Sequence, residues 1–464
     1  MASWDRRPLA AQEKARAQAV RAQVVDAVGP FSPFWRERLR ALGRTAEQVA
    51  TPQALAALPA VGERDVCPDG DPAGAAALVL QAGERGWALH AEGPRLRGAL
   101  ARRLLAPRSY AALVEADTRP TSFTWAGLGL RFPLASTRSD LDVVARCGAR
   151  AWSVLGLTRA DVVVSALPLL ATAERTALEL GALGAGSPLL APGDDPDAAA
   201  EALRLVPATV LALPTGRAAL ALDDLDEAGA PLGGVRTVLL VGAPDPAERD
   251  DVREALQRAG LDPAVLALHV ADGHRLPWAE CRESGGTTGL HTHPDLELLQ
   301  LVAPETGEEP ADGGLREVVV TQLGLRGSAQ LRWRTGDVVA GLDTAPCPAC
   351  GRTVPRATGL RRAALVPELA LRTGVVPVDL RAVAGALVGR AGVADWRVVV
   401  GTSARDGADE LLVHLAPAAG ADASALAVEV ADAVATASGT APTQVVLGDL
   451  PSDGFPLGTR LLLR

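Results

Sequence analysis

Lysine is almost missing from this 464-residue chain: Lys14 is the only one among 46 basic residues. With the high Ala, Gly and Pro content this looks like a coding bias, but no chemistry beyond position 14 can depend on a lysine amine. Aromatic residues make up 3%, with Phe 5 and Tyr 1, which argues against an aromatic-lined ligand pocket. No uninterrupted apolar run approaches the roughly 20 residues that a membrane helix needs. The first residues carry Asp5 and Glu13 and have no apolar core, so they do not read as a secretory signal. Five cysteines, an odd number over a long chain, make no disulfide framework, and a reducing cytoplasm is the expected compartment. Positive charge is in deficit. Lys+Arg 46 against Asp+Glu 55 leaves net −9, with a pI near 5.3. Such a surface repels polyanions, so neither nucleic acid nor membrane is an expected partner.

What is there suits a soluble globular protein: 48% hydrophobic, 22% charged, Gly 47 and Pro 34. At roughly 150 residues per domain, two or three domains are expected. An Ala/Arg/Gln-rich helix is expected over 8–28. FSPFWRERLRALG (31–43) reads as a second segment turning Phe34, Leu39 and Leu42 to an apolar partner. From about 140 helices and strands alternate. Helical spacing covers 141–157, 174–186 and 245–262, and apolar runs at 161–168, 207–214, 236–244 and 264–270 read as buried strands. That order indicates an α/β domain with a largely parallel sheet. After about 286 the pattern alternates as half-exposed strands do, over 291–302, 315–324 and 329–341. From about 360 it reads β–α–β–β–α–β, a small α+β unit with helices over 378–390 and 423–437.

The sharpest chemical signal is Cys281, His291, Cys347 and Cys350. Cys347-Pro-Ala-Cys350 has the spacing of a zinc knuckle and is followed at once by Gly351. Three thiolates and one imidazole would complete a tetrahedral Cys₃His site, closed and therefore structural. His293 competes with His291, since two residues along a strand it faces the same way. The bland alternative is two unrelated buried cysteine pairs and a surface histidine. Ser284-Gly-Gly-Thr-Thr-Gly289 has the composition of a phosphate-holding loop, but no basic residue follows it. It reads instead as the bridge between two metal ligands. In Trp333-Arg334-Thr335-Gly336-Asp337 a carboxylate after a tight turn can accept both hydroxyls of a ribose, or merely close a solvated turn.

In order along the chain stand FSPFWRERLRALG, VGAP (241–244), WAEC (278–281), GLH (289–291), PETGE (304–308), RWRTGD (332–337) and CPACGRT (347–353). Together they resemble the phenylacetate–CoA ligase branch of the AMP-forming adenylating superfamily, most strongly over 230–356. The resemblance implies a large adenylating-enzyme-like α/β domain over 1–358, with a zinc-binding segment at 278–356. A mobile C-terminal α+β domain over 359–464 would follow, hinged near Gly359. It implies carboxylate plus ATP going to acyl-adenylate and pyrophosphate, then transfer to coenzyme A, with structural zinc and with magnesium beside the nucleotide.

The departures matter as much. The family's phosphate loop should lie within 119–141, where Thr124-Trp-Ala-Gly-Leu-Gly-Leu-Arg131 keeps two glycines and one basic residue but no hydroxyl ladder. The segment whose Glu helps hold magnesium corresponds to His269-Val-Ala-Asp-Gly273, leaving Asp272 as the candidate. The hinge pattern appears as Gly359-Leu-Arg-Arg-Ala363, and Thr459 or Arg460 stands for the C-terminal lysine. The resulting assignment gives catalytic roles to Asp272 and Arg460, and nucleotide contacts to Gly242, Ala243, Pro244, Asp337 and Arg131. Two functions compete. One is a ligase relative with a weakened site, using a small-molecule carboxylate or acyl-adenylate. The other is a catalytically inactive relative that binds a ligand or a protein. A homodimer is one assembly this allows, and the acyl group itself is not legible.

Overall fold

The protein is described by a computed structural model covering residues 4–83, 104–304, 306–310, 316–450 and 461–463, apart from positions 129, 245, 363, 364, 373, 404, 406 and 449. The chain divides into two units. The first comprises 1–300, 320–334 and 342–362, and the second 301–319, 335–341 and 363–464.

The first unit opens with α1 (Leu9–Arg21), which continues through Ala22–Val28 as a wider π-type turn. Ser32 accepts the Trp35 N–H and so caps α2 (Pro33–Ala41), with Pro33 at its first position. Trp35 and Leu39 are buried and Phe34 packs against the same core. Leu42 does not join them: it lies past the helix end and is 38% exposed. After α3 (Pro107–Thr118) come the hairpin strands β1 (Pro120–Ala126) and β2 (Phe132–Thr137). Thr137 and Asp140 exchange reciprocal bonds that start α4 (Arg138–Val154).

The alternation that follows is β3 (Val163–Ser165), α5 (Thr172–Ala185), β4 (Leu189–Leu190), α6 (Pro196–Leu205), β5 (Val210–Pro214), α7 (Ala218–Glu227), β6 (Thr237–Val241), α8 (Pro246–Arg258) and β7 (Ala264–His269). Next come β8 (Trp278–Glu280), β9 (Leu290–His291), β10 (Glu297–Val302), β11 (Arg316–Gln322), β12 (Trp333–Val339), β13 (Gly341–Asp343) and β14 (Arg356–Thr358). Among the described residues one nine-stranded sheet has the order β13-β14-β9-β8-β7-β6-β5-β3-β4. Its β4-β3-β5-β6-β7 half is parallel, as buried βα units require, and β8, β9 and β14 extend it antiparallel. Val238, Leu239, Leu240, Leu266 and Leu268 on the central strands are at most 1% exposed. At about 1.5–3 kcal/mol per buried aliphatic side chain, this sheet is the main stabilising element.

Two expectations are corrected. Residues 291–302 are not one strand, because Pro294 supplies no N–H and a turn forms in which Leu296 and Glu297 donate to the His293 carbonyl. β9 therefore belongs to the large sheet, while β10 joins β11 and β12 in a three-stranded one. Nor are β11 and β12 half-exposed. Glu317, Thr321, Gln322 and Thr335 are buried there, held by internal hydrogen bonds such as Gln322 with Arg275 and Gln330.

In the second unit a hairpin, β15 (Glu368–Leu371) and β16 (Gly374–Pro377), precedes α9 (Leu380–Leu387). The rest is β17 (Val393–Thr402), β18 (Asp409–Pro417), α10 (Ala423–Ser438), β19 (Gln444–Leu447) and β20 (Leu461–Leu463), with sheet order β19-β18-β17-β20. Val383, Leu387, Val430 and Val434 of its helices pack on Trp396, Val398, Val413 and Leu415. Among the described residues no helix is long and apolar enough to cross a membrane.

Candidate functional site

The antiparallel edge of the large sheet gathers the sulfur ligands. Ala279, His291 and Arg356 stand opposite one another across β8, β9 and β14, so they share a face. Cys281, two residues beyond Ala279, turns to that same face. Cys347 and Cys350 arrive on a tight knuckle between β13 and β14, where the Gly351 N–H donates to the Cys347 carbonyl at 2.8 Å. The four ligand atoms of Cys281, His291, Cys347 and Cys350 lie within 4.8 Å of one another. Cys281 and Cys347 sulfurs are 3.9 Å apart, and Cys350 Sγ lies 3.6 Å from His291 Nε2. Two sulfurs on one tetrahedral zinc stand about 3.8 Å apart, so the donor set and its spacing fit that ion. Burial pushes the His291 imidazole down to about 3, helped by Arg352 and Arg356, which keeps it neutral as a ligand must be. For Cys347 burial opposes the thiolate, but the N–H groups of Cys350 and Ala349 and the Thr288 hydroxyl bring it down to about 7.

His293 is not part of the group. Its Nε2 bonds the Pro277 carbonyl at 2.8 Å and its N–H donates to Glu297. The Ser284–Gly289 segment wraps on itself and puts the Thr288 hydroxyl 3.7 Å from Cys281 Sγ and 3.6 Å from Cys347 Sγ. The N-terminal segment closes over the knuckle: Arg352 pairs with Asp5 at 2.7 Å, Arg6 donates to the Cys350 carbonyl, and Gln12 to Thr353. Thr288 and Asp5 carry no sequence signal of their own, since a hydroxyl and a carboxylate at isolated positions fit any surface.

The carboxyl ends of β6 and β7 define a second region. Gly242 has φ +139°, and a Cβ there would lie 2.0 Å from Thr215 Oγ1, so only glycine fits. Asp272, just past β7, accepts the Gly127 N–H at 2.9 Å. Gly127, Leu128, Arg131, Glu174, Asp272 and Arg362 line a cleft of about 300 Å³, and Arg362 pairs with Glu174. Ala243 and Pro244 line a different cavity, of about 460 Å³, with Arg249 and Glu280. Sequence reasoning missed Glu63, whose carboxylate accepts the N–H groups of Leu128 and Leu130. Its partners are backbone groups, which leave no trace in a residue pattern.

Asp337 falls in the second unit and is 1% exposed, so the solvated-turn alternative does not hold; its N–H donates to Thr335 Oγ1 at 3.1 Å. Arg460 and Thr459 lie outside the described residues.

No family model matches the sequence, and no curated protein matches it. The fold does have solved counterparts. An open conformation of 2-hydroxyisobutyryl-CoA ligase in complex with 2-HIB-AMP and CoA is similar over 99% of this chain and 93% of that one, with TM-score 0.60 and 17% identity. The same enzyme with 2-HIB-AMP and CoA in its thioesterification state matches over 99% and 91%, with TM-score 0.59 and 17% identity. This chain has the fold of an acyl-CoA ligase.

Proposed function

We propose that this protein is an AMP-forming carboxylate–CoA ligase-like protein with a weakened nucleotide site. The observation that carries the reading is a fold shared, over nearly the whole chain, with a ligase solved with 2-HIB-AMP and CoA. The reaction joins a carboxylate to ATP with loss of pyrophosphate, then passes the acyl group to the coenzyme A thiol with release of AMP. Asp272 and Arg131 stand beside the strand-end cleft, where open α/β sheets take ligands. Asp272 is the group that would face a magnesium ion. The roles of Gly242, Ala243, Pro244, Asp337 and Arg460 rest on the motif resemblance alone, as does membership of the phenylacetate–CoA ligase branch. A mobile domain over 359–464 rests on the resemblance and on the change in strand–helix order near Gly359, and a cytoplasmic location on the odd number of cysteines.

Cys281, His291, Cys347 and Cys350 would hold a structural zinc, which supplies folding energy and, being closed, offers substrate no coordination position. Weakening follows from the missing lysine and hydroxyls, and from turn amides already committed to Glu63 and Asp272. Losing one donor to a developing charge costs about 2.7–4 kcal/mol in barrier. The same committed amides favour a second reading, a fold that has lost the reaction. Pyrophosphate release across a carboxylate panel separates the two: carboxylate-dependent release supports the ligase, and none, with no heat on ATP titration, supports the inactive relative.

A further inference from the structure

The turn joining β1 to β2 is shaped to hold an anion, and the anion it holds belongs to the chain itself. The N–H groups of Leu128 and Leu130 converge on the Glu63 carboxylate at 2.6 and 2.7 Å, one to each oxygen. The Gly127 N–H meets Asp272 at 2.9 Å. Backbone N–H groups aimed together form a concavity for negative charge, and bonds to an ionised acceptor are the strong ones. Gly127 has φ +93°, and a Cβ there would sit 2.0 Å from the Leu130 carbonyl oxygen, so the turn depends on glycine at that position.

Glu63 is not a surface side chain resting on the turn. It is 8% exposed and its backbone is pinned on both sides. The Val61 N–H donates to the Arg332 carbonyl and the Val61 carbonyl accepts from Arg334, both at 2.8 Å. Asp65 returns to the Gly62 N–H at 2.9 Å and pairs with Arg38. The turn's flanks, Ala126 and Phe132, are buried. Both partners of the contact are therefore preset. Beside it the cleft wall carries Arg131, a guanidinium suited to a phosphoryl oxygen, and Arg362, which pairs with Glu174.

We propose that Glu63 is a resident ligand of this turn that competes with polyphosphate for its N–H groups, so that the neighbouring cleft favours a single phosphoryl group and takes ATP only weakly. A polyphosphate chain would compete for the same N–H groups and would bring its charge against the carboxylates of Glu63 and Asp272. A single phosphoryl group can be met by Arg131 without displacing Glu63. Glu63 thus sets the cleft's preference, an adenylate over a triphosphate. The adenosine part of that statement rests on the ligase-like reading, and the phosphate part does not.

Calorimetric titration of the full chain with AMP, ATP and tripolyphosphate tests this, on the wild type, Glu63→Ala and Glu63→Gln, with thermal unfolding to report folding. In the wild type, ATP is expected to bind no tighter than AMP, and tripolyphosphate no tighter than about 1 mM. Tripolyphosphate should bind at least about tenfold tighter to whichever variant folds, Gln keeping the side-chain shape while removing its charge. ATP binding the wild type tenfold tighter than AMP, or a folded variant with no gain, overturns the proposal, and the wild-type ratio decides if neither variant folds. Failure of the ligase reading looks different: no pyrophosphate release and no AMP binding, while the tripolyphosphate gain persists.

Discussion

Three cysteines and an imidazole packed within 4.8 Å of one another, with Cys281 and Cys347 buried, could be held as thiolates only at high cost without a cation to neutralise them. Purified protein is therefore expected to carry one zinc per chain by elemental analysis. Cys350→Ser should release it and lower stability by more than about 2 kcal/mol, read as a drop in Tm, while a chelator does the same to the wild type. Protein free of zinc with an unchanged Tm in the variant would refute the assignment. The convergence of Cys281, His291, Cys347 and Cys350 was legible in sequence because metal-binding clusters draw on few residue types at restricted spacing. The choice between His291 and His293 was not, since alternation along a strand allows both. The turn at Pro294 and the Pro277 carbonyl, which takes His293 Nε2, set them apart. Glu63 was invisible for a different reason: backbone N–H groups are common to every residue.

Elements are held by buried carboxylates as much as by apolar faces. Asp140 caps α4 and also accepts the N–H groups of Arg326 and Gly327, both at 2.7 Å, from a fully buried position. Asp140→Ala strands three N–H groups and should destabilise by about 3 kcal/mol or more, measured by denaturant unfolding. Glu297 joins β10 to the segment before β8, accepting from Trp278 and His293 and facing His274 at 2.5 Å. Burial pushes its carboxyl up, but the bond and charge of His274, then the charge and N–H of His293, hold it below its ordinary 4.5. A carboxyl lowered in the folded state stabilises above its unfolded value and loses that contribution as pH falls. The stability gap between wild type and Glu297→Gln should therefore be full above about pH 5 and shrink below about pH 4.5, in Tm measured against pH. A constant gap would mean that Glu297 acts through shape alone. The parallel strands were legible because both faces are covered and their apolar runs are unbroken. Helices α6 and α7, ten residues each and rich in alanine, are shorter than the roughly 11–18 residues over which a helical period is read.

For the whole molecule, the change from βα alternation to a strand-rich segment and then a small α+β unit was legible in the order of periodicities. What the segments that resemble nucleotide motifs do was not, because arginine for lysine and a lost hydroxyl ladder change chemistry without changing fold. The proposed function is a ligase with slow adenylation. Its most direct test is a single-turnover assay with enzyme in excess over a carboxylate pool, with ATP, magnesium and coenzyme A, read by mass spectrometry. The expected result is a coenzyme A thioester with AMP and pyrophosphate in equal amounts, formed slowly and abolished by Asp272→Ala. No thioester from any carboxylate, with ATP left intact, would contradict it.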